Sequence, residues 1–239
     1  MRSSKTYYLP EHVGFYSTNN SESLAVDLSQ NIREILLETI KKRGRASMAV
    51  SGGSTPIPLF EALSHLDIDW SKVDLTLVDD RWVESDHNDS NELLVKSYLI
   101  KNKAVNINFV PLKNNASTAK EGQASSEEAL KSFTLPFDIL VLGMGADGHT
   151  ASLFPCSEEI RSAMDLDNND FLVATTPTSA PYDRLGMTAK AIMDAKRVFL
   201  HLNGSSKLHT LEKAMELKDV YKMPIYAFLD DGLDIYWSP

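Results

Sequence analysis

Two hydrophobic rhythms alternate along the chain. Between residues 20 and 43, Leu24, Leu28, Ile32, Ile35, Leu36 and Ile40 recur at three- and four-residue steps, which places them on one face of a helix. Asn19 and Glu22 have the spacing of a capping pair at its start, and Gly44 stands where a helix stops. The continuous apolar run "SMAV" at 47–50 reads instead as a buried strand. Runs of the same kind return at 73–78 ("VDLTLV"), 137–142 ("FDILVL"), 171–175 ("FLVAT"), 198–202 ("VFLHL") and 225–229 ("IYAFL"). Helical stretches lie between them, near 90–101, 117–132, 188–195 and 205–217. A further helix opens at Pro56 and turns Leu59, Phe60 and Leu63 inward. Short apolar strands alternating with helices predict an α/β chain whose mostly parallel sheet is covered on both faces. No repeat, low-complexity tract or linker divides the pattern, so residues 1–239 are expected to form one domain.

In open parallel sheets, ligands gather beyond the carboxyl ends of the strands. Three polar segments follow strands here: "SGGSTP" after 47–50, "DDRWVESDHNDSN" after 73–78 and "GMGADGHT" after 137–142. All three are expected to open onto one rim.

Composition limits what that rim can serve. With 43% apolar residues the chain can bury a large core, and 33 acidic against 24 basic side chains give a net charge of −9. An electrostatic grip on nucleic acid or on an anionic membrane is therefore not expected, although a local pocket for a small anion is compatible with that balance. Cys156 is the only cysteine, which excludes an intrachain disulfide and removes any need for an oxidising compartment. The opening "MRSSKTYYLPEHVGF" has no continuous apolar core, and no apolar run approaches the length of a membrane span. A cytoplasmic location is expected.

Each segment has its own chemistry. Gly52 and Gly53 permit close approach of a ligand to backbone N–H groups, and Ser54 and Thr55 add hydroxyls at the positive end of the following helix. The Gly-Lys-Ser/Thr ending of a nucleotide-binding loop is absent, so a smaller phosphate is the better guest, and a tight turn with a capped helix is the competing interpretation. In "DDRW", Arg81 can fork onto a carboxylate or phosphate, with Asp79 and Asp80 beside it to fix its orientation. "DHND" at 86–89 has metal-ligand residue types but no second cluster to complete a site, while Ser90 and Asn91 stand where the next helix needs caps. His149, two residues after Asp147, can take a proton from water near neutral pH, and placement at a helix N-terminus would keep it neutral. Arg184 and Lys207, each after a strand, can bring positive charge to the same rim.

Taken in order, "SGGSTP", "DDRWVESDHNDSN", "GMGADGHTASLFP", "RLGMT" and "NGSSK" resemble the motifs of the 6-phosphogluconolactonase family across most of the chain. The resemblance implies a three-layer, mostly parallel Rossmann-like α/β fold of the glucosamine-6-phosphate deaminase, ribose-5-phosphate isomerase and CoA-transferase type. It implies hydrolysis of 6-phospho-D-glucono-1,5-lactone to 6-phosphogluconate in the oxidative pentose phosphate pathway, without metal or organic cofactor. On that resemblance His149 activates water, and Arg81, oriented by Asp79, stabilises the developing oxyanion, with Asp147 nearby. Gly52, Gly53, Ser54, Thr55, Arg184 and Lys207 hold the phosphate. The chain departs from the family pattern at Asp80, where a glutamate is usual, and at Gly186, where a threonine is common and local loosening is expected. The deaminase branch of the fold resembles the chain as far as the glycine–histidine turn. It continues differently from "TASLFP", which sets the two apart. A non-catalytic sugar-phosphate sensor is the alternative of another class, and it would need no base at His149.

Overall fold

A computed structural model describes residues 9, 10, 13–229 and 233–239. The long amphipathic pattern forms helix α1 (Ser21–Arg43), with Leu24, Leu28, Ile32 and Leu36 wholly buried. Its cap is Asn20 rather than Asn19: the Asn20 side chain accepts from the Ser23 amide at 2.8 Å. Gly44 ends it in the left-handed region, at φ 83°.

Seven strands form one parallel sheet, in the order β1 (Gly14–Ser17), β10 (Asp234–Ser238), β9 (Val198–Asn203), β6 (Ile139–Leu142), β2 (Ala46–Val50), β3 (Val73–Leu77) and β5 (Asn108–Phe109). The central strands β2, β3 and β6 are buried throughout, which explains their unbroken apolar sequence. Flanking helices include α1, α2 (Ile57–Ser64), α3 (Asn91–Tyr98) and α4 (Ala119–Leu130), the last closed by a reciprocal Thr118–Glu121 capping box.

The apolar run at 225–229 is not a strand. It forms a short 3-10 helix, Pro224–Phe228, because Pro224 fixes its own φ and has no N–H to give a ladder. The Ile225 amide instead donates to the Gly148 carbonyl at 2.9 Å, which ties this segment to the histidine turn. The last strand of the sheet is "DIYWS", β10, whose polar ends disguise it in the sequence.

The second difference concerns 171–175. This run becomes β7 (Leu172–Thr175), in a separate antiparallel sheet of order β4 (Asp79–Arg81), β8 (Arg184–Met187), β7. Side chains of α4 occupy its outer edge. The Gln123 amide donates to the Leu172 carbonyl at 2.8 Å, and the Glu127 carboxylate accepts from the Phe171 and Leu172 amides. With those groups satisfied, β7 has no free edge to offer the large sheet. Val78 joins the two sheets: its amide donates to Val50 of β2, and its carbonyl accepts from Met187 at the end of β8. One continuous apolar core runs beneath both.

Candidate active site

At the crest of the parallel sheet, the loops after β2 and β6 and the ends of β4 and β8 surround a cavity of about 260 Å³. Its wall includes Gly52, Gly53, Ser54, Thr55, Asp79, Arg81, His149, Arg184 and Lys207. The three polar segments therefore meet as their positions predict.

The loop after β2 supplies an anion cradle. The Ser51 amide donates to Val141 on β6 at 2.9 Å, holding the loop against the sheet before it turns away. A side chain at Gly52 would displace Asn91, since a Cβ there would lie 1.9 Å from the Asn91 carbonyl oxygen Oδ1. Gly53 sits at φ 90°. No side chain caps the start of α2, so the positive end of that helix remains available to a guest. Lys207 projects from the first turn of α7 (Ser205–Leu217), and its Nζ donates to the Met144 carbonyl at 2.6 Å. That bond brings its charge to the loop after β6.

The same loop presents the histidine. The Gly145 amide donates to the His149 carbonyl at 2.8 Å and closes a tight turn, and a Cβ on Gly145 would lie 2.2 Å from the His149 ring. Within the turn, His149 Nδ1 lies 2.5 Å from Asp147 Oδ1, which also accepts the His149 amide at 3.2 Å. Phe154 stacks on the ring at 4.1 Å between centroids. Burial disfavours the charge on Asp147, but its bonds and attraction to His149 together outweigh that and hold the carboxyl below its ordinary value. An ionised Asp147 keeps the proton on Nδ1 and leaves the Nε2 lone pair to accept another. The helix N-terminus expected to keep this ring neutral is absent. No helix starts at His149; an isolated bridge between Thr150 and Leu153 follows, and the next helix is α5 (Ile160–Ala163). Asp147 sets the tautomer through its contact with Nδ1.

The antiparallel sheet supplies the arginines. Its register pairs Arg81 on β4 with Arg184 on β8. Arg184 is 7% exposed, and its guanidinium lies over the Phe154 ring, 5.1 Å from the centroid. Burial lowers its pKa, partly opposed by the nearby Asp79 carboxylate. Arg81 Nη1 donates to the Asp89 carbonyl at 2.9 Å and to Asn91 Oδ1 at 3.0 Å.

The sequence model of the glucosamine-6-phosphate isomerases/6-phosphogluconolactonase family matches residues 19–237. The chain belongs to that family. It is 38% identical over 231 residues to a 6-phosphogluconolactonase of Pseudomonas putida, covering 97% of this chain and 95% of that one. A 6-phosphogluconolactonase of Rhizobium meliloti is 40% identical over 223 residues, covering 92% and 96% respectively. The crystal structure of a 6-phosphogluconolactonase from Shewanella baltica superposes with a TM-score of 0.93 at 44% identity, covering 97% of this chain and all of that one. A monomeric glucosamine-6-phosphate deaminase superposes at 0.77 with 18% identity over 95% of this chain and 97% of that one, a likeness of fold. The parallel sheet with flanking helices is thus the fold that the resemblance implies.

Against this family background, the acidic pair in "DDRW" has a different task from the one expected. Among the described residues neither carboxylate bonds the Arg81 guanidinium. Asp79 Oδ2 accepts from the Ser152 hydroxyl at 2.6 Å. Asp80 accepts from the Arg81, Asn91 and Glu92 amides, fastening β4 to the start of α3. Side chains alternate along a strand, so neighbouring Asp80 and Arg81 face opposite ways. Burial pushes Asp80 up to about 6 despite those amides. Gly186 does not loosen Arg184 either. It is buried where a Cβ would come 2.9 Å from Asp79 Cβ and 3.1 Å from Ser152 Cβ, so it admits the Asp79–Ser152 contact.

Three contributors escape sequence reasoning. Asn91 reads as a cap, and Ser90 does fill that role by accepting from the Leu93 amide. Asn91 turns inward, accepting from Arg81 and donating to the Asp79 carbonyl at 2.8 Å. Phe154 carries no functional signal in the sequence, yet it contacts both His149 and Arg184. Ser152 has no signal beyond lying in the "TASLFP" tail.

Proposed function

We propose that this cavity hydrolyses 6-phospho-D-glucono-1,5-lactone to 6-phospho-D-gluconate, the ring-opening step of the oxidative pentose phosphate pathway. The observation that carries the reading is the Asp147–His149 contact at 2.5 Å, with His149 on the wall of a cavity that also holds an anion cradle and two arginines. Phosphate enters the cradle of Gly52, Gly53, Ser54 and Thr55 and is neutralised by Lys207, which leaves the lactone carbonyl toward His149. His149 Nε2 takes a proton from water as the water oxygen attacks C1. Arg81 and Arg184 stabilise the charge that develops on the carbonyl oxygen. As the tetrahedral centre collapses, the bond from C1 to the ring oxygen breaks and that oxygen takes the proton from His149. The released carboxylic acid then loses its proton to solvent.

The continuous core under both sheets supports reading the chain as one domain. No helix among the described residues is long and apolar enough to cross a membrane. A water-soluble sugar phosphate as substrate supports a cytoplasmic location.

The test is decay of freshly generated lactone with the purified protein, corrected for spontaneous hydrolysis. Accelerated loss of the lactone is expected, without ammonia release from glucosamine 6-phosphate. Ammonia release with no effect on the lactone would transfer the site to the deaminase reaction. Binding of the sugar phosphate without either turnover would leave the sensor reading.

A further inference from the structure

Four buried side-chain polar atoms among the described residues have no hydrogen-bond partner: Ser51 Oγ, Arg184 Nε, His201 Nδ1 and Ser238 Oγ. Buried polar groups are nearly always paired, so such exceptions call for an explanation. Ser51, Arg184 and His201 all line the one cavity already described. These three atoms are themselves out of a guest's reach, but all three residues border the place where a guest binds. Arg184 has a role in the reaction; His201 has none so far.

His201 lies inside β9, 3% exposed. The register pairs Leu142 of β6 with Leu200, so His201 stands one step further on, at the level where the chain leaves β6 for the histidine turn. Its ring makes no hydrogen bond with any described residue. Nδ1 is sealed from solvent, whereas Nε2 is not among the sealed atoms, and the ring borders the cavity. The residual exposure of this side chain therefore opens toward the guest. Burial pushes the ring's pKa down to about 4, which keeps it uncharged at neutral pH. The position sits within "VFLHL", where an apolar residue would avoid burying a polar ring altogether.

We propose that His201 donates its Nε2 proton to an oxygen of the phosphate held in the cradle, and so selects phosphorylated substrates. An uncharged donor adds direction to a site where Lys207 already supplies charge. The identity of the substrate rests on the lactonase reading above; the contact with phosphate does not.

The experiment compares wild type, His201→Leu and His201→Gln on two substrates, 6-phospho-D-glucono-1,5-lactone and the unphosphorylated glucono-1,5-lactone. The leucine variant should raise KM for the phosphorylated lactone about tenfold, the loss of one hydrogen bond to a charged group, with kcat nearly unchanged. The unphosphorylated lactone should show no such penalty, and glutamine, which keeps an N–H donor, should recover most of the loss. Ring nitrogen NMR of the wild type should show His201 with its proton on Nε2 and a shift of that signal on adding inorganic phosphate. An unchanged KM in a folded leucine variant, an equal penalty on both lactones, or a His201 signal unmoved at saturating phosphate would each overturn the proposal. Should the leucine variant fail to fold, the glutamine variant and the wild-type spectrum still decide it. A wild type inert on both lactones but with a phosphate-dependent His201 signal would remove the hydrolase reading and leave this contact in place.

Discussion

The two sheets that meet at Val78 furnish the cavity by different means. The parallel sheet works through its loops: glycines, backbone amides and the tight turn that sets His149 against Asp147. The antiparallel sheet works through register, placing Arg81 and Arg184 opposite one another on paired strands. Loops close to a strand end can be read from a linear motif. Registration between residues about a hundred positions apart cannot, because nothing local in the sequence encodes it.

That division can be tested from its largest expected effect downward. The parallel sheet also buries a titratable group, His201, and its clearest consequence is for stability. An unfolded chain protonates this histidine near its ordinary value of 6.5, while burial alone holds the folded value at about 4. The folded state therefore binds fewer protons in that window, and its stability falls as pH drops from 6.5 toward 4. The loss amounts to about 3 kcal/mol. Denaturant titrations across that range should show part of the acid loss disappear in His201→Leu; an identical pH slope would mean the ring is not buried as described.

On the other sheet, Arg184→Met keeps the length and packing over Phe154 but removes the charge. A fall in kcat/KM of about a hundredfold is expected, the scale of losing one stabilising donor at a developing oxyanion. A near-normal value would take the antiparallel sheet out of the chemistry. Next comes Asp147→Asn, which weakens the hold on the histidine tautomer without emptying the turn. Its kcat should drop about tenfold with KM little changed, whereas a change in KM alone would assign Asp147 to binding. The smallest effect sharpens the link between the sheets. Asn91→Ala frees Arg81 from one of its two partners and should lower kcat/KM about threefold; a loss as large as that of Arg184→Met would make Asn91 more than a support.

Much of the parallel sheet was legible in the sequence. The runs at 47–50, 73–78, 137–142 and 198–202 are strands because buried parallel strands need apolar residues on both faces. The convergence of three polar segments followed from the same topology. The terminal strand was not legible: "DIYWS" begins with a polar residue, while the more apolar "IYAFL" is turned into a 3-10 helix by Pro224. Within the site, His149, Lys207 and the glycine loop stand where their motifs put them. The partners of Arg81 do not: strand alternation turns Asp80 the other way, and Asp79, on the same face as Arg81, accepts from Ser152 instead. Phe154 illustrates another limit. An aromatic residue in a core and one supporting two functional side chains look the same in a sequence.

The central claim is that the Asp147–His149 pair drives the opening of a phosphorylated lactone. The most direct measurement is the corrected rate of lactone decay with His149→Ala, alongside binding of inorganic phosphate to the same variant. The account predicts a rate loss of about a hundredfold or more with phosphate binding retained, as expected for removing a general base. Unchanged turnover in a variant that still binds phosphate would contradict it.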